Sequence, residues 1–340
     1  MTCPNCGDTS SATDAKYCEV CGKPLAPRSP LPDNSNQTLC VTHQTISLCN
    51  CPPGESSPDS EGWCESCGVR CVATAYEDGV SNPHRIIVEI DARLAMVSDI
   101  GRKHSHNEDC GTVVKGATDE AVLVVSDGVS TSFRPAGASA AATGIVKEML
   151  SAAYAPEKTM TIMKSAIAAA HESIMSQPAG DEPDLDGPEC TVVAAKVIGN
   201  TVTIGWVGDS RAYLVTETTE KLLTVDDSWV EEVVKSGLFT REAANADWRA
   251  HCVTQVLGMK DDVVDIHAIT AEIAPQETLL LCSDGLWNYF QEDGSLAKKV
   301  SEIKAALGVD VSALAICKAL VEEANALGGH DNITVATLLC

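Results

Sequence analysis

The chain has 340 residues, of which 44% are hydrophobic, and a formal net charge of −24. This length exceeds what one ordinary hydrophobic core needs, so we expect one large domain with a small appendage. The acidic surface repels phosphate backbones and anionic lipid headgroups, which argues against nucleic acid and membranes as partners. The first residues show no charged-then-apolar signal, and no apolar run approaches the roughly 20 residues that span a bilayer, so we predict a cytoplasmic protein.

The first cysteine cluster contains two C-x-x-C-G segments within residues 1–22. Cys3 and Cys6 belong to the first segment, and Cys18 and Cys21 to the second. In a reducing compartment such pairs are more typical of metal ligands than of disulfides. Each turn presents two thiolates, and two facing turns make a tetrahedral shell that suits Zn²⁺. We therefore predict a structural zinc ribbon.

A second, less regular cluster lies in residues 40–72. Cys64 and Cys67 form one half-site, and the shortened turn of Cys49 and Cys51 is the predicted partner. This set reproduces the loop length of the first ribbon, so we predict about two zinc ions per chain. Three other side chains remain as alternative ligands: Cys40, His43 and Cys71.

Two connecting segments are predicted around the second ribbon. Residues 23–39 contain several closely spaced prolines, which is typical of an extended spacer. Residues 73–91 are predicted as a second linker, and the large domain is predicted to span residues 92–340. The ribbons bury too little apolar surface to fold alone, so Zn²⁺ would supply most of their stability.

Beyond residue 92 the sequence predicts both strands and helices. Runs rich in Val, Ile and Thr predict strands at 121–126, 191–198, 201–207, 211–215, 277–283 and 332–339. Helical periodicity predicts helices at 136–153, 158–175, 228–236 and 310–326. The Gly199-Asn200 turn and the reversal at Asp209-Ser210 predict antiparallel pairing of the strands beside them. Strand meanders with paired helices between them predict an α+β fold, with sheets sandwiched by helices.

Two of the predicted strands end in the same Ser-Asp-Gly sequence. Asp127 and Asp284 are the acids of these segments, and a hydrophobic core does not require a carboxylate there. Further acids occupy turn-like positions beside other strands: Asp209, Asp331, Glu108 and Asp109. Converging carboxylates repel each other unless hard divalent cations neutralise them, and oxygen-only ligands favour Mg²⁺ or Mn²⁺ over Zn²⁺. We therefore predict a two-metal centre, although a single Asp-Gly is also a common structural turn.

The order of these motifs resembles the metal-dependent protein phosphatase family of type 2C, particularly its bacterial branch. The matching segments run from about residue 94 to the C-terminus: SDIGRKHSHNEDC, LVVSDGVS, ECTVVAA, WVGDSRAYLV, DDSWV, VTQVLG, LLLCSDGLW and GGHDNITVATL. The resemblance implies a central antiparallel β-sandwich flanked by helices on both faces. It also implies hydrolysis of phosphoserine and phosphothreonine in proteins by a metal-activated water at a binuclear Mn²⁺ or Mg²⁺ site.

The resemblance assigns roles to individual residues of this chain. Asp127 would bridge both metal ions, and Gly128 would offer its carbonyl oxygen. Asp284 and Asp331 would complete the inner ligands, while Glu108 would act through bound water. These roles need no serine or cysteine nucleophile.

Other positions match the family less directly. Asp209 in the GDSR turn matches the acid used for a third, weaker metal ion, and Asp109 is expected to support the ligands. The usual phosphate-binding arginine is replaced by His104, with Arg102 nearby. Histidine titrates near neutrality, so His104 would bind the phosphate or protonate the leaving oxygen. The alternative is a loop histidine whose role Arg102 has taken over.

Two further segments depart from the family pattern. Residues 129–132, Val-Ser-Thr-Ser, stand where a further glycine and a histidine are common, so the pocket wall is expected to differ. The Asp226-Asp227-Ser228 segment lacks a histidine that is often found in its middle. None of these changes removes a predicted carboxylate ligand, which favours an active enzyme.

The resemblance implies phosphorylated protein substrates as partners, and a cognate Ser/Thr kinase is a further expected partner. One alternative is a pseudophosphatase that binds phosphoproteins without turnover. Another makes the ribbons a docking module; residues 1–80 carry 4 basic and 10 acidic residues, which favours docking to protein over nucleic acid. The sequence leaves the oligomeric state, the substrate protein and the choice between Mn²⁺ and Mg²⁺ open.

Overall fold

The computed structural model describes residues 85–116, 119–152, 154–177, 187–260, 263–308 and 311–340. The predicted zinc ribbons, with all of their predicted cysteine ligands, and the proline-rich spacer lie outside these residues. No helix in the described part of the chain is long and apolar enough to cross a bilayer.

The described residues form eleven strands and seven α-helices, besides one short 3-10 helix at Pro156–Lys158. The strands are β1 (Arg85–Asp91), β2 (Leu94–Asp99), β3 (Cys110–Lys115), β4 (Glu120–Ser126), β5 (Val192–Ile198), β6 (Thr201–Val207), β7 (Arg211–Val215), β8 (Glu220–Leu222), β9 (His267–Glu272), β10 (Thr278–Cys282) and β11 (Ile333–Leu339). The helices are α1 (Pro135–Ser151), α2 (Thr159–Met175), α3 (Trp229–Lys235), α4 (Arg241–Asn245), α5 (Asp284–Trp287), α6 (Ser295–Leu307) and α7 (Ala313–Ala326).

Within these ranges the strands form two antiparallel sheets. The six-stranded sheet has the order β1-β2-β11-β10-β7-β8, and the five-stranded sheet has the order β3-β4-β5-β6-β9. Helices α1 and α2 pack on the five-stranded sheet, and α6 and α7 pack on the six-stranded sheet. The predicted α+β sandwich with helices on both faces is confirmed.

The continuous apolar runs of the sequence arise because both faces of each sheet are covered. In β4, Val122 and Val124 pack against α1 and α2, while Leu123 and Val125 face the other sheet. Successive side chains of a strand point to opposite faces, so a strand that is buried on both sides loses its polar alternation. Each such buried side chain contributes roughly 1.5–3 kcal/mol to folding.

The predicted pairing across Asp209-Ser210 is wrong. Strand β6 pairs with β5 and β9 in one sheet, whereas β7 pairs with β10 and β8 in the other. Gly208, at φ +97°, begins the turn that carries the chain between the two sheets. The predicted hairpin at Gly199-Asn200 does join β5 and β6 in antiparallel register.

The first sheet begins earlier in the chain than the predicted boundary at residue 92. Strand β1 lies in the predicted linker 73–91 and pairs along β2. It is an edge strand with partly exposed residues, so its apolar signal is weak. Three helices, α4, α5 and α6, and four strands, β2, β3, β8 and β9, are also absent from the predicted elements.

Candidate active site

Two strand-end aspartates from opposite sheets meet at one edge of the sandwich. Strand β4 ends at Ser126, so Asp127 is the first residue beyond the five-stranded sheet. Strand β10 ends at Cys282 in the six-stranded sheet, and Asp284 begins helix α5. The carboxyl groups of the two aspartates lie close enough to interact electrostatically with each other. The sandwich therefore brings the two Ser-Asp-Gly segments together.

Asp331, in the loop before β11, joins the same cluster. Its carboxylate interacts electrostatically with those of Asp109, Asp127 and Asp284. Like charges that are close enough to interact raise the free energy of the folded state unless protons or cations neutralise them. Four acids that are far apart in sequence thus form one electrostatically coupled group.

Asn332 ties the loops of this cluster together, and the sequence analysis missed it. Its side-chain Oδ1 accepts a hydrogen bond from the backbone N–H of Glu108 at 2.7 Å. Its Nδ2 donates to the carbonyl oxygens of Ile100 at 2.9 Å and His106 at 3.1 Å. Asn332 is buried. The one sequence signal for its role was its position directly after Asp331 and before an apolar strand.

Glu108 is held beside the cluster by the segment that departs from the family pattern. The Oγ of Ser130 donates to Glu108 Oε2 at 2.5 Å, and the backbone N–H of Gly128 donates to the Glu108 carbonyl oxygen at 3.1 Å. A Cβ atom on Gly128 would lie 2.5 Å from the carbonyl oxygen of Pro135. The altered residues 129–132 therefore supply a hydroxyl that orients the predicted ligand.

Asp109 lies behind the cluster and is buried, with 5% exposure. The Oγ of Ser283 donates to Asp109 Oδ2 at 2.7 Å. Among the described residues, Asp109 Oδ1 and Asp284 Oδ1 are buried without a hydrogen-bond partner. Buried carboxylate oxygens without partners are costly, so these two oxygens require a cation or a further donor.

Burial is the largest cause of the raised pKa values in the cluster. It raises the pKa of Asp109 to about 7 and that of Asp284 to about 6, and the neighbouring carboxylates add to both shifts. The pKa of Asp127 is raised well above its ordinary value for the same two reasons. Without cations, the folded protein therefore retains protons that the unfolded chain would lose.

This proton retention predicts how the stability of the metal-free protein depends on pH. The Asp109 carboxyl has an ordinary pKa of 3.8 and a folded pKa of about 7, so the folded state binds more protons between these values. The free energy of unfolding then falls as pH rises through this window. In EDTA, we expect the Tm to fall between about pH 4 and pH 7, by several degrees on the scale of a few kcal/mol.

The matched variant is Asp109→Asn, which keeps a side chain of similar shape without the titrating proton. Its Tm in EDTA should fall less steeply over the same pH range, and should exceed the wild-type Tm at the upper end. Thermal unfolding followed by circular dichroism measures both slopes. Equal slopes in the two proteins would show that Asp109 does not retain its proton on folding.

Asp209 lies in the turn that crosses between the sheets and approaches the same cluster. Burial raises its pKa well above the ordinary value, and the charge of Asp284 raises it further. The Nε1–H of Trp287 donates to the carbonyl oxygen of Asp209 at 2.9 Å. The guanidinium of Arg211 lies 3.5 Å from the centre of the Trp287 ring. Helix α5 and the turn are thereby held together.

The Asp226-Asp227 pair anchors both ends of this turn. Asp226 Oδ2 accepts from Arg211 Nη2 at 2.7 Å. Asp227 Oδ2 accepts from the backbone N–H of Gly208 at 2.8 Å, and its Oδ1 lies 2.9 Å from His267 Nε2. The two acids are therefore committed to holding the turn.

Of the two predicted phosphate-binding candidates, His104 lies nearer the carboxylates. Its Nε2 is 3.3 Å from Asp331 Oδ1, and its side chain is 30% exposed. Arg102 is exposed, and its backbone N–H donates to the carbonyl oxygen of Gly329 at 2.8 Å. The structure thus gives His104 direct access to the cluster.

The cluster fits divalent cations by charge and by donor type. In the described part of the chain, no three His, Cys, Asp or Glu side chains are already arranged to hold one ion. Mg²⁺ and Mn²⁺ nevertheless prefer oxygen ligands, and carboxylates offer only oxygen atoms. Asp109 and Asp284 each have one buried oxygen without a hydrogen-bond partner. The acids are neighbours whose charge requires compensation.

The sequence is similar to a family of known proteins. The family model described as protein phosphatase 2C matches residues 100–320. The serine/threonine phosphatase stp of Listeria welshimeri is 31% identical over 241 residues, which cover 70% of this chain and 92% of that protein. The protein phosphatase PhpP of Streptococcus pneumoniae is 28% identical over 248 residues, which cover 72% of this chain and 95% of that protein.

Solved structures share the fold. The S. agalactiae serine/threonine phosphatase has a TM-score of 0.60 at 25% identity, covering 75% of this chain and 99% of that one. The Mycobacterium tuberculosis serine/threonine phosphatase PstP/Ppp has a TM-score of 0.57 at 28% identity, covering 73% of this chain and 98% of that one. The family expected from the motifs is therefore confirmed by sequence and by fold. The chain belongs to the protein phosphatase 2C family.

Proposed function

We propose that the protein is a cytoplasmic serine/threonine phosphatase whose clustered carboxylates hold two Mn²⁺ or Mg²⁺ ions. The meeting of Asp127 and Asp284 from opposite sheets, with Asp331 beside them, carries this proposal. A structural turn would need one such acid, whereas mutually repelling acids with unpartnered buried oxygens need compensating charge. Family membership supports the same reading.

The residues divide into those that hold the ions and those that position them. Asp127, Asp284 and Asp331 would be direct ligands with the Gly128 carbonyl oxygen, and Glu108 would act through water. When bound, the cation pair lowers the pKa of water and neutralises charge on phosphoryl oxygens. Asp209 would serve a third, weaker ion.

The chain's own hydrogen bonds keep these ligands in place. Ser283 orients Asp109 at 2.7 Å, and Ser130 orients Glu108 at 2.5 Å. Asn332 fixes the spacing between the Glu108 and Asp331 loops. These groups would position the reacting centre.

His104, rather than Arg102, is the residue that we assign to the substrate phosphate. Its position 3.3 Å from Asp331 supports this assignment, because a phosphoryl group bound beside the carboxylates would lie within its reach. Arg102 stays at the exposed surface of the preceding turn. An imidazole in this place would donate a hydrogen bond to a phosphoryl oxygen or to the leaving serine or threonine oxygen.

Release of phosphate tests the function. The purified protein is incubated with a phosphothreonine peptide and with p-nitrophenyl phosphate, in Mn²⁺, in Mg²⁺ and in EDTA. Turnover of both substrates in either metal and none in EDTA is the expected result. Tight binding of the phosphopeptide without turnover would instead support the pseudophosphatase alternative.

The N-terminal segments are assigned to docking of a protein partner, either the phosphorylated substrate or its cognate kinase. Eight cysteines would hold about two Zn²⁺ ions there: Cys3, Cys6, Cys18, Cys21, Cys49, Cys51, Cys64 and Cys67. Zinc analysis of the purified full-length chain checks this number.

Deleting residues 1–80 tests the docking role. The deletion leaves β1 and every described strand in place, so hydrolysis of p-nitrophenyl phosphate should be unchanged. The kcat/KM for a phosphoprotein substrate should fall by at least about tenfold, because tethered docking raises effective concentration. A full-length Cys3→Ser, Cys6→Ser variant should show the same split. Equal loss of both activities would mean that the ribbons support the catalytic domain's structure.

A further inference from the structure

A cavity of about 310 Å³ opens directly beside the carboxylate cluster. Its volume is near the lower end of the roughly 300–1,000 Å³ range of small-ligand sites, which suits one or two amino-acid residues. Asp331 belongs both to the cluster and to the cavity wall, so an occupant lies next to the reacting phosphate. The side chains that line it are His251, Asn288, Tyr289, Gln291, His330 and Asp331.

One wall of the cavity is a stacked pair of rings. The rings of Tyr289 and His330 are inclined by 21°, with centroids 6.5 Å apart. The Tyr289 hydroxyl accepts a hydrogen bond from the backbone N–H of His330 at 3.0 Å, which fixes the pair. His330 is exposed and Tyr289 is half-buried, so the pair presents ring surface to the cavity.

The amides of the cavity are already engaged. Asn288 Nδ2 donates to Asp284 Oδ2 at 3.1 Å, and Asn288 Oδ1 accepts from Gln291 Nε2 at 3.3 Å. His251, from the segment between α4 and β9, is close enough to interact with the Asp284 carboxylate. The polar groups of this wall therefore serve mainly to hold Asp284.

The charges around the cavity disfavour an ionised occupant. Among the described residues, the cavity lining contains no lysine or arginine that would pair with an acidic side chain. A basic side chain would find only Asp331 as a carboxylate in the cavity lining, and that group is assigned to a metal ion. Flat ring surfaces instead favour an uncharged aromatic side chain, which stacks at centroid distances of about 4.5–7 Å.

We propose that this cavity receives an aromatic side chain of the substrate, close in sequence to the phosphorylated serine or threonine, stacked against Tyr289 and His330. The inference rests on the proposed phosphatase function and adds a substrate preference to it. The preference arises from binding of the peptide, so it appears chiefly in KM.

A phosphothreonine peptide series tests the preference. A single phenylalanine is moved through the neighbouring positions on both sides of the phosphothreonine, in an otherwise alanine-rich peptide. At one position phenylalanine should raise kcat/KM about three- to tenfold over alanine. Each value is divided by kcat/KM of the same protein for the all-alanine phosphothreonine peptide, so that a general loss of activity cancels.

Two variants remove the stacked wall. Tyr289→Leu and His330→Ala should each abolish the preference for phenylalanine, whereas Tyr289→Phe, which keeps the ring, should retain it. Lys164→Ala, on the exposed face of α2, is the matched control and should behave as wild type. Preference at no position, or survival of the preference in either wall variant, would overturn the proposal.

A measurement of peptide binding tests this proposal independently of the phosphatase activity. If no substrate releases phosphate, isothermal titration calorimetry with the same phenylalanine and alanine peptides still measures the preference. Tighter binding of the phenylalanine peptide that is lost in Tyr289→Leu supports the cavity assignment. Equal affinities overturn it.

Discussion

Replacing Asp127 by asparagine should lower kcat for a phosphothreonine peptide by about a hundredfold to a thousandfold, the scale of removing one electrostatic group at a reacting centre. Asp127 interacts electrostatically with all four other aspartates of the site: Asp109, Asp209, Asp284 and Asp331. Asparagine keeps the shape of the side chain but removes the charge that would hold two cations. The measurement is kcat over a range of Mn²⁺ concentrations.

Stability distinguishes this loss from unfolding. Because Asp127→Asn removes a charge that neighbouring acids repel, its metal-free Tm should be equal to or higher than that of the wild type. Mn²⁺ should raise the Tm of the wild type more than that of the variant. Glu148→Gln, an exposed acid on α1, is the matched control and should change neither quantity. Undiminished kcat in Asp127→Asn would remove Asp127 from the site.

Gly285→Ala should lower both stability and metal affinity, because the added methyl group has no space. Its Cβ would lie 1.9 Å from the carbonyl oxygen of Asn332 and 3.4 Å from the Cβ of Asp331. The loop that carries Asp331 must then move away from helix α5, which carries Asp284. Overpacking of this kind costs about 1–3 kcal/mol or more. Thermal unfolding and Mn²⁺ titration measure the two effects.

Gly144→Ala provides the matched control for this substitution. Gly144 lies inside α1, and nothing is within 4 Å of the Cβ that alanine would add. Alanine in a helix interior is about 0.5–1 kcal/mol more stable than glycine, so this variant should be slightly stabilised. A Gly285→Ala protein with wild-type Tm and wild-type Mn²⁺ affinity would contradict the close approach of the two loops.

Local sequence signals predicted the acids that the structure brings together, because each acid follows or precedes an apolar strand. Asp127 and Asp284 stand at strand ends, and Asp331 precedes β11. Strand ends collect at the edge of a sandwich, so the type of site follows from the strand pattern and the residue types. A single Asp-Gly segment is a weak signal for a metal site. The prediction became specific only because eight motifs follow one another in the order of the family.

Contacts between residues far apart in the chain could not be predicted from local sequence patterns. Asn332 accepts a hydrogen bond from the backbone N–H of Glu108, which is far away in the chain. Residue spacing along the sequence does not predict a bond of this kind. The crossing at Asp209 looked like a hairpin because a tight turn has the same residue types whether it joins paired strands or two sheets. Edge strand β1 was missed because partial exposure weakens its apolar pattern.

Electron paramagnetic resonance of the Mn²⁺-loaded protein tests most directly whether the carboxylates form one two-ion site. Two ions about 3.5–4 Å apart are magnetically coupled, so the spectrum should change from isolated ions to a coupled pair as Mn²⁺ is added. The coupled signal should be absent from Asp127→Asn. Isolated-ion spectra at every Mn²⁺ concentration, or no bound Mn²⁺, would contradict the shared site.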